Sequence, residues 1–344
     1  MKRFIINGKF LAQPITGVQR VAREILPELD LIVDVNEVEL VVPADAKDVP
    51  KLKKIRIVRS KYKKSIIWEQ LWLPLYILKH KAIGVHLCHV APIIKPDIVC
   101  IHDANVLRNP QWFTRKVVLW YRIIDWCCAR FSKKILTDSC FSKSELLSFF
   151  KIDDDKIAVL NFGWQHFCKI VIDDAALKRY ALKKNCFYFS LGTRAPHKNI
   201  DWIYGYARMH PETTFAVSGS SNGRIFGKVD PKFPPNVIFL GYLSDGEIKT
   251  LMQNCKAFVF PSFYEGFGLP PLEALCTGAT VIASDIPVMR EIFGDAVHYI
   301  DPKNIDVDLD KILVRPLDST EVVLDRYGWD KGARIIYNIF REFS

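Results

Sequence analysis

Apolar residues along this chain cluster into short runs, separated by longer stretches with a helical period. In the first half the runs are Phe4 to Ile6, Val38 to Val42, Ile55 to Val58, Val85 to Val90, Ile98 to Ile101, Lys134 to Thr137 and Ile157 to Leu160. Each has the length of a strand, and although Glu39, Arg56, His86 and His89 interrupt three of them, the series reads as short apolar strands. Between the first two runs, Val18, Val21, Ala22, Ile25, Leu26 and Leu29 share one helical face, with Thr16 placed to cap it. Pro27 predicts that this helix ends or kinks near Leu26, because proline lacks the N–H that the ladder needs. A long aromatic-rich helix is expected over Thr114 to Phe131, with its aromatics from Trp112 to Trp126 in the core. Ser142-Lys143-Ser144-Glu145 has the form of a capping box opening the next helix.

The pattern then repeats. Asn161 to Asp174 has no clear period and reads as a connection, after which runs recur at Phe187 to Leu191, Thr214 to Val217, Val237 to Leu240, Ala257 to Phe260 and Thr280 to Ala283. Ser244-Asp245-Gly246-Glu247 is a second capping box, and Trp329 to Phe343 closes the chain as an amphipathic helix. Strands alternating with helices mean βαβ units and parallel sheets. The expected fold class is therefore α/β, with two doubly wound domains: residues 1–163, and residues 164–328, with the helix 329–344 packing back onto the first. Their carboxyl edges are expected to face each other across one cleft.

Composition changes this picture in one place. Half the residues are apolar and a quarter charged, the balance of an ordinary folded protein, and the nine cysteines form no C-x-x-C pair. They read as reduced thiols, mostly packed as small apolar residues, and the apolar part of the N-terminus is too short for a signal peptide. The net charge of +10, however, is concentrated. Lys51 to Lys64 holds eight basic residues and no acid, and Ile66 to Lys79 follows, apolar and carrying Trp68 and Trp72. Glu69 and Pro74 interrupt that stretch too early for it to span a bilayer. Basic residues beside Trp and Leu suit an anionic membrane surface. A solvated basic loop before a core helix fits the same letters, and contact with nucleic acid has no accompanying motif.

The densest chemistry lies in residues 257–301. Ala257 to Phe260 leads into Pro261-Ser262-Phe263-Tyr264-Glu265-Gly266-Phe267-Gly268-Leu269-Pro270-Pro271-Leu272-Glu273-Ala274-Leu275, and Gly278 precedes the next strand. This is a strand, a glycine-bearing loop, a short helix opened by two prolines, and a strand, with Glu265 in the loop and Glu273 in the first helical turn. Free N–H groups at the helix start favour an anion, whereas two carboxylates repel one. Carboxylates do accept well from vicinal hydroxyls. A ligand with both phosphate and polyol parts, such as a nucleotide sugar, satisfies both halves. A capped surface helix with an exposed acidic loop is the plain alternative.

The spacing of Glu265 and Glu273 within P-S-x-x-E-G-F-G-L-P-x-L-E-A-L, followed by Gly278, Ala283-Ser284-Asp285 and Arg290-Glu291, resembles the signature of the retaining glycosyltransferases of family 4. The likeness extends over nearly the whole chain. Thr16-Gly17-Val18-Gln19-Arg20 resembles the family's N-terminal loop, His102-Asp103 its "HD" segment, Asp138 to Lys143 its "S-x-F-S-K" turn, Gly192 to Asn199 its diphosphate loop, and Val237 to Ser244 its base-holding strand and loop. The resemblance implies a GT-B fold: two Rossmann-like domains facing across a cleft. It implies that Glu273 holds the ribose hydroxyls and Glu265 those of the donor sugar. The amides of Gly266, Phe267, Gly268 and Leu269 face sugar and distal phosphate, while Lys198, helped by Arg194 and the Gly17 amide, neutralises the diphosphate. Tyr242 and Leu243 lie against the base through their backbone, and His102 reaches the donor sugar from the first domain. Lys198, Glu265 and His102 are the implied catalytic set.

This chain has Thr193 where many members carry arginine, with Arg194 one place later. His197 has no motif support and reads as a loop histidine, and Asp103 fits a structural role as well as a binding one. No D-x-D element is placed for a divalent ion, since Asp153-Asp154-Asp155 falls between a helix and a strand away from the loops above. The resemblance therefore implies a metal-independent, cofactor-free hexosyltransferase with front-face retention, since no second carboxylate is placed as a nucleophile. The expected donors are GDP-, dTDP- or UDP-linked hexoses, mannose or rhamnose favoured by analogy. The expected acceptor is a lipid-linked or oligosaccharide glycan of bacterial surface polysaccharide (O-antigen or capsule), with no nucleic acid among the partners. The expected location is cytoplasmic, peripheral at the inner face of the cell membrane. A catalytically silent sugar-binding or scaffold protein shares the fold. So does a 2-epimerase, which would want another catalytic set, and a dehydrogenase would want a G-x-G-x-x-G that no predicted strand precedes.

Overall fold

The computed structural model describes residues 3–192, 195–219 and 234–343. They form two parallel β-sheets. The first contains β1 (Phe4–Asn7), β2 (Val38–Val42), β3 (Arg56–Arg59), β4 (Ile83–His86), β5 (Ile98–Cys100), β6 (Lys134–Thr137) and β7 (Ile157–Val159), in the order β3-β2-β1-β4-β5-β6-β7. The second contains β8 (Tyr188–Leu191), β9 (Phe215–Ser218), β10 (Val237–Gly241), β11 (Ala257–Phe260), β12 (Val281–Ser284) and β13 (His298–Ile300), in the order β10-β9-β8-β11-β12-β13. Every residue of β1, β2, β4, β5, β9, β11 and β12 is buried, while edge strand β3 is largely open and edge strand β10 mostly half-buried. Two-sided burial is why the buried strands read as short apolar runs.

Contacts divide the chain into two compact units. The first takes in the residues up to Leu107, Leu119–Gly163 and those from Gly328 on; the second takes in Arg108–Val118 and Trp164–Tyr327. The longer helices are α1 (Gly17–Ile32), α2 (Leu73–Lys79), α3 (Arg115–Phe131), α4 (Cys140–Phe150), α5 (Ile200–Met209), α6 (Asp245–Asn254), α7 (Leu269–Cys276), α8 (Pro287–Phe293) and α9 (Trp329–Phe343). Within the first unit α9 lies along α1, and Phe340 stacks on Phe4 of β1 with ring centroids 3.9 Å apart. Gly332 of α9 is needed for that approach, since a Cβ there would stand 2.3 Å from the Asn161 carbonyl oxygen.

Several local expectations are corrected. Helix α1 runs through Pro27 to Ile32 rather than stopping at Leu26. Pro27 lies on the exposed side, where water can take the carbonyl it leaves unbonded, while Ile25, Leu26 and Leu29 keep the inner face buried. Helix α4 is capped three residues earlier than expected: the Ser139 hydroxyl accepts from the Ser142 N–H at 3.0 Å, so Ser142 is inside the helix. Strand β4 spans Ile83–His86 rather than Val85 to Val90, and the chain turns away by His89, at φ +33°. Trp126 is exposed rather than in the core, as are Leu119 and Ile123. Of the cysteines, Cys140, Cys168 and Cys186 are exposed. The expected capping box at Ser244 is present, with Ser244 N–H donating to Glu247 at 2.8 Å and Glu247 N–H to the Ser244 hydroxyl at 3.3 Å.

Candidate active site

Strand order in the second sheet reverses between β8 and β11. At such a switch point the loops leaving two neighbouring strands diverge to opposite faces and leave a crevice between them. Here those loops are residues 192–199 and 261–268, and they are sewn together. Asn199, at φ +53°, donates its side-chain amide to the carbonyls of Pro261 at 2.9 Å and Pro302 at 2.8 Å. Phe263 N–H donates to the His197 carbonyl at 2.7 Å. Asparagine tolerates the left-handed conformation and ends the 3-10 turn Pro196–Lys198.

This stitching brings together two charged residues distant in sequence. Lys198 Nζ donates to Glu265 Oε1 at 2.7 Å and lies 5.1 Å from the centre of the Phe260 ring. Its aliphatic stem lies along Gly192, at whose Cβ position Lys198 Cγ and Cδ are 3.5 Å away. Both charged ends keep some access to solvent, at 18% and 12% of their side-chain surface. Next to them His197 is neutral: burial, and then the charge of Lys198, push it down to about 3. The Ser262 hydroxyl is buried and makes no hydrogen bond among the described residues.

The helix beyond this loop begins on a glycine for two reasons. Gly268 caps α7 at φ +103°, and a Cβ there would meet Met289 Cε at 2.8 Å. Leu269 is the first helical residue, so Pro270 and Pro271 remove two of the N–H groups that a helix start usually offers, and Leu272 N–H returns to the Gly268 carbonyl at 3.3 Å. Anion binding at this end would therefore fall to the amides of the loop and of Leu269. Glu273 lies in the second turn rather than the first. It is buried, and its Oε1 accepts from His166 Nε2 at 3.0 Å. After β10, Tyr242 is 78% exposed and Leu243 is buried. Arg194 lies outside the described residues.

In the first unit Gly17 opens α1, exposed, with no atom within 4 Å of where a Cβ would stand. Gln19 closes the turn by accepting from Thr16 N–H at 3.2 Å. His102 follows β5 and is buried, with Nδ1 2.8 Å from Asp138 Oδ1 and Nε2 3.1 Å from the Leu87 carbonyl oxygen. Both ring nitrogens thus face acceptors. Burial acts to lower its pKa, but the Asp138 carboxylate and the adjoining Cys100 sulfur together hold His102 well above the usual histidine range. Cys100, His102 and Asp138 form a cluster of metal-ligand residue types among the described residues. A metal would need Nδ1 without its proton, whereas the bond to Asp138 keeps the proton there.

A family profile described as "Glycosyl transferases group 1" matches residues 174–313, which covers β8 to β13 and both loops of the crevice. Among curated proteins the chain is similar to the O-antigen chain mannosyltransferase RfbU of Salmonella typhimurium, 27% identical over 67% of this chain and 65% of that one. It is also similar to the O-antigen chain mannosyltransferase B of Escherichia coli, 28% identical over 61% of this chain and 58% of the relative. Both matches span less than two thirds of the relative's length. A third relative, the uncharacterized glycosyltransferase MJ1607 of Methanocaldococcus jannaschii, is 30% identical over 75% of this chain and 72% of its own. The chain belongs to the glycosyl transferases group 1 family.

Solved structures agree on the fold. Sucrose-phosphate synthase from Thermosynechococcus elongatus superposes with a TM-score of 0.72 at 13% identity, covering 100% of this chain and 99% of that one. Anabaena Alr3699/HepE, solved with UDP and glucose, gives 0.68 at 13% identity, covering 99% and 100%. The fold of this group 1 chain is GT-B, with parallel sheets of seven and six strands. His166 and Asn199 were not singled out in the sequence. His166 falls in a stretch without period, and only the fold carries it to Glu273. Asn199 had a faint signal, an asparagine directly after a short basic turn.

Proposed function

We propose that this chain is a retaining, metal-independent hexosyltransferase. It would move mannose, or rhamnose, from a nucleoside-diphosphate sugar to a lipid-linked or oligosaccharide acceptor in bacterial surface-polysaccharide synthesis, at the cytoplasmic face of the membrane. The observation that carries the reading is the Lys198–Glu265 pair, 2.7 Å apart at the strand-order reversal, with the buried Glu273 one helix turn further on. Similarity to O-antigen mannosyltransferases supports the choice of sugar and pathway class, and a structural neighbour solved with UDP and glucose supports a nucleotide-sugar donor.

In the proposed reaction, Glu273 accepts from the ribose hydroxyls and Glu265 from those of the sugar. Lys198 turns from Glu265 to the diphosphate as charge builds there, joined by Arg194 and by the amides of Gly266 to Leu269. Tyr242 and Leu243 offer backbone to the base. The bond from the anomeric carbon to the diphosphate breaks, the bond to the acceptor oxygen forms on the same face, and the acceptor's proton passes to the leaving phosphate oxygen. His102, with both ring nitrogens engaged, serves as a positioning residue that fixes the Leu87 carbonyl and Asp138.

The test is thermal-shift screening against GDP-, UDP-, dTDP- and ADP-linked sugars, with and without magnesium, followed by NMR of the product anomer. One donor at a hundred times its Kd should add about 2.7 kcal/mol of stability. Lys198→Ala should lower kcat about 100-fold or more, as loss of a transition-state charge partner does. Glu273→Ala should weaken donor binding about tenfold or more, as loss of a charged hydrogen-bond acceptor does. An inverted product anomer would overturn the mechanism, and stabilisation by no sugar nucleotide would favour a silent scaffold.

A further inference from the structure

The helical stretch through the turn Trp68–Trp72 and α2 carries its apolar residues on both faces. Trp68, Leu73 and Ile77 are buried against Ile5 and Val41 of the first sheet, and the Trp68 indole donates to the Ser60 hydroxyl at 2.9 Å. Trp68 is thus not the part that meets solvent, and Trp72 is half-buried against the same cluster. Ile67, Leu71, Leu75 and Leu78, spaced by four, four and three residues, are 68%, 57%, 65% and 46% exposed in one outward stripe. Such a row on the outer face of a helix in a soluble unit has no explanation inside the fold.

A second helix repeats the arrangement. In α3, Ile124 and Cys128 are buried over Val99 and Ile101, while Leu119, Ile123 and Trp126 are exposed on the outer side. The register of the parallel strands relates the two helices. Ile5 pairs with Gly84, which lies on the same face as His86 two residues on, and His86 pairs with Val99. Ile5, covered by α2, and Val99, covered by α3, are therefore on one face of one sheet. The outer surfaces of both helices look away from that face. Between them the loop after β4 is fastened to the turn Trp68–Trp72 that leads into α2, with Ile93 N–H donating to Gln70 at 2.9 Å, and it holds Ile94 57% exposed.

Charge completes the pattern. From Val49 to Pro96 the only acid is Glu69, which is buried and bonded to Asn7 at 3.2 Å and Lys9 at 2.6 Å. Lys61, Lys63, Lys79 and Lys81 are exposed and make no ion pair among the described residues, and Arg122 and Arg130 are exposed on α3. We propose that the outer faces of α2 and α3 form one surface by which this unit rests on an anionic lipid bilayer, aliphatic side chains in the headgroup boundary and basic side chains among the phosphates. A second copy of the chain would bring the same positive charge to the same face, which opposes pairing through it.

The inference does not depend on the transfer reaction, so the two fail separately. The full chain is sedimented with phosphatidylcholine vesicles, with and without phosphatidylglycerol, at low and high salt. Binding is expected only to the anionic vesicles and should weaken with salt. Leu71→Glu/Leu75→Glu, Ile123→Glu and Lys61→Glu/Lys63→Glu should each weaken it about tenfold or more, the scale of losing two buried leucines or two surface charges. These positions are exposed, so thermal midpoints and stabilisation by sugar nucleotide should be unchanged. The proposal is overturned by equal binding of variants and parent, by no preference for anionic vesicles, or by a dimer of the parent that Leu71→Glu/Leu75→Glu dissociates.

Discussion

Lys198 and Glu265 show how little a residue's neighbours in sequence say about its partner. The carboxylate that looked poised for hydroxyls also holds the ammonium in place at 2.7 Å, so a ligand entering the crevice must exchange one of these bonds for its own. His102 is the sharper case at this scale. Its ring lies between the Asp138 carboxylate and the Leu87 carbonyl; burial opposes charge on it, but Asp138 and Cys100 beside it raise the pKa in the folded protein. A group raised in the folded state contributes stability that is fully present below its unfolded pKa of about 6.5 and is lost as pH rises through the folded value. Urea midpoints should therefore fall across the alkaline side of neutrality for the parent and much less for His102→Asn. The substitution should itself cost about 3–5 kcal/mol at pH 6, as breaking a buried pair does. A variant with the parent's pH slope would remove His102 as its source. The histidine was legible in sequence as a strand-end residue, but its orientation was not, because Asp138 comes from the end of a different strand.

Elements were legible where burial imposed a period and misplaced where a single residue was given too much weight. Pro27 predicts a helix end only if its unbonded carbonyl is costly, and on the exposed side of α1 it is not. The Ser142 cap failed because Ser139, three residues earlier, offers the same chemistry and begins the helix sooner. Helix α3 forms where the pattern predicts it, but Trp126 faces out rather than into the core, since a tryptophan carries the same apolar signal whichever way it faces. Packing of α9 on α1 gives a prediction at this scale. Gly332→Ala would put a methyl group 2.3 Å from the Asn161 carbonyl oxygen, a backbone atom that cannot swing aside. It should lower unfolding free energy by about 3 kcal/mol, the upper range for overpacking, measurable by urea denaturation. An unchanged midpoint would show that the helix shifts freely.

For the whole molecule the consequential fact is that the first unit is discontinuous: its core needs the residues from Gly328 on, which come after the entire second unit. Phe340 on Phe4, and Ala333, Ile336 and Phe340 buried in α9, cover a face of β1 and α1 that would otherwise be exposed. Deleting α9 should therefore unfold the first unit and spare the second. Limited trypsin digestion of the truncated chain should degrade the residues up to 107 and 119–163 while a fragment near residues 164–327 persists. Equal loss of both, or survival of both, would contradict this division. No helix among the described residues is long and apolar enough to cross a membrane.

By itself the sequence determined what local chemistry determines: buried strands as apolar runs, parallel sheets from their alternation with helices, and the family from the spacing of Glu265, Glu273 and their glycines. Those features are short-range, because a strand's two-sided burial and a loop's need for glycine act on consecutive residues. Tertiary structure decided everything that depends on which strand lies beside which. It joined Lys198 to Glu265 across the strand-order reversal, brought His166 to Glu273, and enclosed the His102 ring. It also turned Trp68 inward and Leu71 outward, a choice of helix face that apolar composition alone cannot make.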